Sequence, residues 1–131
     1  MNSRNPSLRT ALGKVRGLGA ARSGTEHFWK QRWTAVASIP LTIGFLIIAM
    51  LLMGRNHAAV VQILGSPLVA IVMLLFITIN VYHMWLGMQT IIEDYVAGDV
   101  GKLALLMANL FFCGAIGLTS VFAILQLSFG V

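Results

Sequence analysis

Apolar residues fall into three long runs along the chain, and short polar segments separate these runs. The runs cover residues 35–53, 68–92 and 103–129. The first run has 19 residues, so as a helix it would be about 28 Å long, close to the thickness of the hydrocarbon core of a bilayer. Pro40 lies near the start of this run, where a proline costs a helix least. The pattern predicts three transmembrane helices.

Two polar segments connect the runs, and both carry residues that are typical of turns. The first reads GRNHAAVVQILGSP and the second reads EDYVAGDVGK. Because glycine, proline and aspartate punctuate both segments, the sequence predicts a short turn at each place. We therefore predict an all-α membrane protein, with an N-terminal arm and amphipathic segment over residues 1–33 and a three-helix membrane unit over residues 34–131.

The composition supports a membrane protein and limits the cofactors that this chain could hold alone. Hydrophobic residues make up 58% of the chain, charged residues 10%, and the mean hydropathy is +0.87. Soluble domains carry about a quarter charged residues, so a soluble domain is excluded. The single cysteine, Cys113, excludes an intrachain disulfide and an iron–sulfur cluster held by this chain alone. A haem would be bound non-covalently, because the Cys-x-x-Cys-His motif is absent from the sequence.

Positive charge is concentrated at the N-terminus. The formal net charge is +5, and seven of the nine basic residues precede the first run: Arg4, Arg9, Lys14, Arg16, Arg22, Lys30 and Arg32. Such a segment next to a span favours the cytoplasmic side, so we expect a basic cytoplasmic arm that faces anionic headgroups rather than nucleic acid. An arginine- and serine-containing start is also typical of a mitochondrial transit peptide, which is the alternative interpretation.

The second run carries a stripe of polar or small residues with helical spacing. Its members follow one another at intervals of three and four residues: Asn80, His83, Gly87, Thr90 and Asp94. They share one helix face, which we expect to meet protein or a cofactor rather than lipid. With the N-terminus in the cytoplasm and three spans, the second run ends on the cytoplasmic side. His83 lies about nine residues from that end, or about 13 Å deep. An ionisable group at that depth indicates function.

Two interpretations of His83 follow from the residues alone. A neutral imidazole ligates haem iron through one nitrogen, and Gly87 would leave room for a flat macrocycle. A single histidine supplies one axial ligand, so the second would come from a partner chain or another residue. The alternative is that His83 forms a hydrogen bond to a neighbouring helix and that the small residues serve helix packing.

Two further groups of residues invite a prediction. Asp94 and Tyr95 end the second run at the cytoplasmic surface, where tyrosine is common as an interfacial anchor. A phenol beside a carboxylate could also donate to a ligand carbonyl and connect it to bulk protons. The third run has a small-residue face, which predicts helix packing and a buried, inert thiol: Asn109, Cys113, Gly117 and Ser120.

The segment HMWLGMQTIIEDYV resembles the haem-and-quinone segment of the succinate dehydrogenase hydrophobic membrane anchor family, the D chain of complex II. The family pattern is a histidine, a glycine four residues later, and an Asp-Tyr pair at eleven and twelve residues. Here these positions are His83, Gly87, Asp94 and Tyr95. The resemblance covers about residues 24–127.

A second motif, GTEHFWKQRWTA, resembles the family's approach to the first helix, with Arg32 and Thr34 at matching positions. The family often has a histidine and an aspartate before the phenylalanine of this motif. This chain has Glu26 and His27 before Phe28, so we carry no role onto those two residues.

The resemblance implies a four-subunit enzyme that oxidises succinate to fumarate and passes electrons to ubiquinone. FAD and the iron–sulfur clusters would belong to two soluble partners, the flavoprotein subunit and the iron–sulfur subunit. This chain would pair with a second three-helix anchor subunit, the C chain, and share haem b with it. The chain itself would hold no complete active site and no catalytic residue. Its expected location is the bacterial cytoplasmic (inner) membrane, with the mitochondrial inner membrane as the alternative.

The resemblance also implies roles for individual residues. His83 would be the axial ligand that this chain gives to the haem iron. Arg32 would meet the haem propionates, Tyr95 would donate a hydrogen bond to a quinone carbonyl, and Asp94 would support that site. Two rivals stay open: a fumarate reductase anchor that runs the reaction in reverse, and a non-redox membrane scaffold in which His83 and Tyr95 only pack and anchor.

Overall fold

The computed structural model describes residues 21–130, and their side chains from Thr25 onward. Four helices follow one another: α1 (Ala21–Leu52), α2 (His57–Leu64), α3 (Pro67–Tyr95) and α4 (Asp99–Phe129). Three of them contain stretches long and apolar enough to cross a membrane: Thr25–Leu52, Pro67–Tyr95 and Asp99–Phe129. The prediction of an all-α protein with three membrane spans is confirmed. Residues 1–20, which carry most of the predicted basic arm, lie outside the described residues.

The first connection between spans differs from its prediction, because it contains the two-turn helix α2. Gly54 has a φ of 72°, the left-handed conformation that terminates many helices, and it follows the end of α1. Asn56 then caps α2, since its side-chain oxygen accepts a hydrogen bond from the Ala59 amide at 2.9 Å. The predicted simple turn was therefore wrong here: an N-cap followed by alanine and valine starts a new helix.

The second connection is shorter than predicted, because α3 continues through Tyr95 and α4 begins at Asp99. Lys102 stabilises this junction, since its Nζ donates to the Glu93 carbonyl at 2.9 Å. That carbonyl is one of the last four of α3, which have no partner within their own helix. Only residues 96–98 connect the two spans, so Asp94 and Tyr95 lie in the last turn of α3.

Pro40 lies in the interior of α1 rather than near a helix start. The prediction was wrong because α1 begins at Ala21, well before the apolar run. The proline removes one backbone donor from the helix, yet the helix continues to Leu52. Residues 21–33, the described part of the predicted N-terminal segment, therefore belong to the same helix as the first span.

The three long helices lie side by side with α3 in the middle. Helix α1 packs on α3 and α4 packs on α3, whereas α1 and α4 do not contact each other in the described part of the chain. Phe45 of α1 stacks on Phe76 of α3 with ring centroids 4.5 Å apart. This arrangement gives α3 two protein neighbours and leaves large apolar side chains exposed on all three spans.

The small-residue face of α4 forms the contact with α3, as the sequence predicts. Asn109 is buried, and its Nδ2 donates to the Trp85 carbonyl at 3.0 Å. Cys113 is buried beside it and its thiol donates to Asn109 Oδ1 at 3.3 Å. A methyl group at Gly117 would lie 3.3 Å from Val81 Cγ1, so the absent side chain permits this close approach. Helix packing is therefore the role of these residues.

Candidate functional site

His83 and Thr34 form a side-chain contact between α3 and α1 at membrane depth. The Thr34 hydroxyl lies 2.8 Å from His83 Nδ1. Thr34 is only 8% exposed, and the His83 ring is half-buried. The other ring nitrogen, Nε2, has no hydrogen bond among the described residues, and it is absent from the buried atoms that lack a partner. His83 Nε2 is therefore unpartnered and reaches the surface of the chain.

Helix α1 positions Thr34 by bonding its hydroxyl to its own backbone. The hydroxyl oxygen lies 2.9 Å from the Lys30 carbonyl and 3.0 Å from the Gln31 carbonyl, one turn earlier. Such bonds are the usual way in which a threonine is accommodated inside a helix. Ser38 repeats the arrangement one turn later, with a 2.8 Å bond to the Thr34 carbonyl. The Thr34 side chain is thus held in one orientation toward α3.

His83 and Gly87, at the centre of the polar stripe of α3, face α1, whereas Thr90 and Asp94 at its end are exposed. Gln31 lies over Gly87, since a methyl group on that glycine would lie 3.4 Å from Gln31 Nε2. A side chain of the same chain therefore lies beside the position where the sequence predicts room for a macrocycle. Asn80 and Thr90 bond to carbonyls of their own helix, at 2.8 Å and 3.1 Å.

A matching polar stripe on α1 was missed by the sequence reasoning. Its members follow one another at intervals of four, three and four residues: His27, Gln31, Thr34 and Ser38. The buried side-chain atoms without a hydrogen bond among the described residues are His27 Nε2 and Gln31 Oε1. Both belong to this stripe. The helical spacing of polar positions is the signal that could have found it.

A polar cavity of about 230 Å³ lies beside His27 of the α1 stripe, toward the N-terminal end of α1. Its lining includes His27, Tyr82 and Gln89, together with the ion pair between Glu26 and Lys30, whose charged atoms lie 2.6 Å apart. This ion pair joins exposed side chains one helical turn apart, so it contributes little to stability. The α1–α3 contact is polar and incompletely satisfied over its N-terminal part.

Arg32 lies away from His83. Positions 32 and 34 of a helix are about 200° apart, so Arg32 points away from α3 when Thr34 contacts His83. The Arg32 guanidinium carbon lies 4.5 Å above the centre of the Phe28 ring, and both side chains are exposed. The structure does not bring Arg32 and His83 together within this chain.

Tyr95 and Asp94 form a separate, exposed pair at the end of α3. Tyr95 is 83% exposed, and neither its hydroxyl nor the Asp94 carboxylate has a hydrogen bond in the described part of the chain. Tyr95 borders a groove of about 580 Å³ between α3 and α4, whose lining is apolar and includes Met88 and Phe112. By helical geometry Tyr95 lies about 18 Å along α3 from His83 and about 120° around it.

Few groups near these positions are able to bind a metal ion directly. Within residues 25–130, no three histidine, cysteine, aspartate or glutamate side chains lie close enough together to hold a metal ion. His83 Nε2 is available as a single ligand in this part of the chain. The geometry permits one metal bond from His83 Nε2 and one hydrogen bond from the Tyr95 hydroxyl, at two well-separated places.

Comparison with known proteins relates most of the chain to one family. Residues 6–124 match the sequence model of the succinate dehydrogenase/fumarate reductase transmembrane subunit. A succinate dehydrogenase hydrophobic membrane anchor subunit of Paracoccus denitrificans is 30% identical over 87% of this chain and 88% of its own length. The corresponding subunit of Rickettsia bellii is 28% identical over 77% and 81%.

A third relative, named as a succinate dehydrogenase membrane anchor subunit, comes from Reclinomonas americana. It is 32% identical over 63% of this chain and 71% of its own length. No solved structure matches the chain. The resemblance inferred from the two sequence motifs is confirmed.

Proposed function

The chain belongs to the family of succinate dehydrogenase/fumarate reductase transmembrane subunits, and from this premise we propose that it anchors a succinate dehydrogenase in the membrane, shares haem b with a second anchor chain and helps to form the ubiquinone site. The three spans supply the anchor. The soluble partners would be a flavoprotein subunit with FAD and an iron–sulfur subunit with its clusters. This chain contributes binding groups and no complete active site.

His83 is the proposed axial ligand of the haem iron, and the observation that carries this proposal is its unpartnered Nε2. Burying an imidazole inside a span costs free energy unless its nitrogens have partners, so such a residue indicates function. Nδ1 already has a partner in Thr34. When bound, haem supplies a one-electron carrier at membrane depth. His83 supplies one ligand, so a second ligand would come from the partner anchor chain.

Access to His83 has to avoid Gly87. The Gln31 side chain lies beside that glycine, so His83 Nε2 would be reached from the open surface of the chain rather than through the α1–α3 contact. Such a surface exists because α1 and α4 do not contact each other over α3 in the described part of the chain. In this proposal the second anchor chain would cover that surface.

Tyr95 is the proposed donor to a quinone carbonyl, with Asp94 in support. The phenol is exposed and unpartnered at the end of α3, where electrons from soluble partners and protons from water are both close. Reduction of a quinone consumes protons as well as electrons, so a site at the membrane surface shortens both routes. The apolar groove beside Tyr95 suits the apolar part of such a ligand.

Arg32 is the proposed partner of the haem propionates. Its guanidinium carbon lies 4.5 Å from the centre of the Phe28 ring, and its nitrogens have no hydrogen bond in the described part of the chain, so they would be free to bind a carboxylate. The N-terminal side of the membrane unit is the proposed cytoplasmic side, following the charge of the arm, and the membrane is the bacterial inner membrane. Two of the relatives above come from the bacterial genera Paracoccus and Rickettsia.

One observation favours the non-redox scaffold as a second candidate. His83 already joins two spans through Thr34, and such a bond stabilises a pair of membrane helices by itself. In that case the free Nε2 would have no role. A fumarate reductase anchor has the same groups and differs in the direction of electron flow, although the curated relatives above carry succinate dehydrogenase names.

The substitution His83→Leu separates the haem anchor from the scaffold. We expect membranes that contain the assembled His83→Leu complex to lose haem b or to show an altered haem spectrum. The matched control is His57→Leu, because His57 begins α2 and lies outside the three spans. A His83→Leu complex with unchanged haem content and spectrum would contradict haem ligation by His83 and favour the non-redox scaffold.

A further inference from the structure

The protons of the Thr34–His83 contact follow from the acceptors around the Thr34 hydroxyl. A hydroxyl has one proton to donate and lone pairs that accept. The Lys30 and Gln31 carbonyls lie 2.9 Å and 3.0 Å from the Thr34 oxygen, and carbonyls only accept. When the hydroxyl proton points at this pair of carbonyls, its oxygen is left to accept from His83 Nδ1 at 2.8 Å.

The opposite assignment leaves an unpartnered donor in the membrane. If the Thr34 hydroxyl donated to Nδ1, a neutral imidazole would carry its proton on Nε2. Nε2 has no acceptor in the described part of the chain, and an unpartnered N–H group is costly where water is excluded. With the proton on Nδ1, Nδ1 donates to Thr34 and Nε2 carries a lone pair that is able to bind a metal ion.

We infer that Thr34 is a positioning residue that holds His83 in the tautomer protonated on Nδ1 and thereby presents the Nε2 lone pair to iron. This inference rests on the proposed haem ligation by His83. The bond also fixes the ring, because Thr34 is buried and bonded to its own backbone. A metal-bound imidazole that donates its second N–H to an acceptor is a more basic ligand. A more basic imidazole stabilises ferric iron, so the bond lowers the haem potential.

The test uses the assembled four-subunit complex and the midpoint potential of haem b. Thr34→Val has nearly the shape of threonine but lacks the acceptor, so we expect the ferric-to-ferrous equilibrium to shift about tenfold toward ferrous, or about 59 mV upward. Thr34→Ser keeps the hydroxyl and should stay near the parent. Thr119→Val is the matched control, because Thr119 bonds to the Ala115 carbonyl at 2.7 Å in another span. It should leave the potential unchanged.

Two outcomes would overturn the inference alone. One is a Thr34→Val potential that equals the parent's while His83→Leu still removes or alters the haem. The other is an equal shift in Thr34→Ser and Thr34→Val, because the side-chain volume would then be responsible rather than the hydroxyl. If Thr34→Val does not assemble, Thr34→Ala replaces it and has the same expected direction. If His83→Leu leaves the haem unchanged, the proposed ligation fails, and this inference fails with it.

Discussion

The two helix contacts of α3 use polar residues in different ways. On the α4 side, Asn109 donates to the Trp85 carbonyl and accepts from the Cys113 thiol, so this buried amide is bonded through both of its ends. On the α1 side, His27 Nε2 and Gln31 Oε1 are buried and have no hydrogen-bond partner among residues 25–130. The first contact is a closed network of hydrogen bonds, and the second is open.

This difference indicates that the α3–α4 contact is structural and that the α1–α3 contact carries the candidate functional groups. A closed network needs nothing from outside the chain and explains why α4 stays on α3. Unpartnered polar atoms are costly in a membrane, so we expect water, a ligand or a partner chain to supply the missing groups at this contact. The unpartnered Nε2 of His83 belongs to the same side of α3. Tyr95 is the exception, because it is unpartnered at the end of the α3–α4 groove.

The substitution Tyr95→Phe tests whether this exception is functional. It keeps the ring and the interfacial anchor and deletes one donor. Losing a hydrogen bond to a buried carbonyl costs about 1–3 kcal/mol, so quinone turnover should fall about 5- to 150-fold. Succinate-dependent reduction of a water-soluble electron acceptor should continue, since that reaction bypasses the membrane. Haem content should also persist, because Tyr95 lies about 18 Å along α3 from His83.

Tyr82→Phe is the matched control for this experiment. Tyr82 belongs to the same helix, and its ring packs 5.7 Å from the Trp85 ring, beside the polar cavity. Its variant should reduce quinone like the parent. Parental turnover in Tyr95→Phe would make Tyr95 an interfacial anchor only, and the quinone donor would have to be sought elsewhere in the complex.

The closed contact predicts a pure stability effect at Gly117. A methyl group there would lie 3.3 Å from Val81 Cγ1, whereas one at Gly114 meets nothing within 4 Å. Gly117→Ala and Gly114→Ala gain the same helix propensity, so the difference between them isolates the crowding. We expect Gly117→Ala to be less stable by about 1 kcal/mol, at the low end for overpacking. Thermal unfolding of the two purified complexes measures it.

The quinone turnover per assembled complex should be the same in both glycine variants. Equal thermal stability would contradict the assignment of Gly117 to close helix packing. Loss of haem from Gly117→Ala at unchanged stability would contradict the separation of the two helix contacts, since it would link the α4 side of α3 to the cofactor.

The number of membrane-spanning helices follows from the sequence, because hydropathy decides it. Three runs that are long enough to cross a bilayer have few alternatives to helices in lipid. The small-residue face of α4 is also predictable from its spacing. The short helix α2 was missed because its eight residues give a weak periodic signal, and only the cap at Asn56 distinguishes it from a turn.

The contacts between stripes are less accessible to prediction. The Thr34–His83 bond joins residues 49 positions apart, and it depends on which face of α1 meets α3. The polar spacing of His27, Gln31 and Thr34 marks that face, but the sequence does not state the register between two helices. For the same reason the sequence indicates free space at Gly87 but does not show that the Gln31 side chain lies beside it.

The smallest expected effect belongs to Arg32, which lies on neither contact. If it meets a haem propionate, Arg32→Leu removes a positive charge near the haem and should favour ferric iron. An exposed ion pair contributes about 0.2–1 kcal/mol, so the ferric-to-ferrous equilibrium should shift about 1.4- to 5-fold. The potential should therefore fall, opposite in sign to the rise expected for Thr34→Val, and the shift should shrink as salt increases.

Arg55→Leu is the matched control for this charge effect, because Arg55 is also exposed but follows the other end of α1. Its potential should equal the parent's. Arg32→Lys keeps the charge but loses the planar fork that pairs with a carboxylate, so it should give an intermediate potential. A redox titration of Arg32→Leu that superimposes on the parent's would remove the propionate role. An equal fall in Arg55→Leu would assign the effect to net charge rather than to a contact at Arg32.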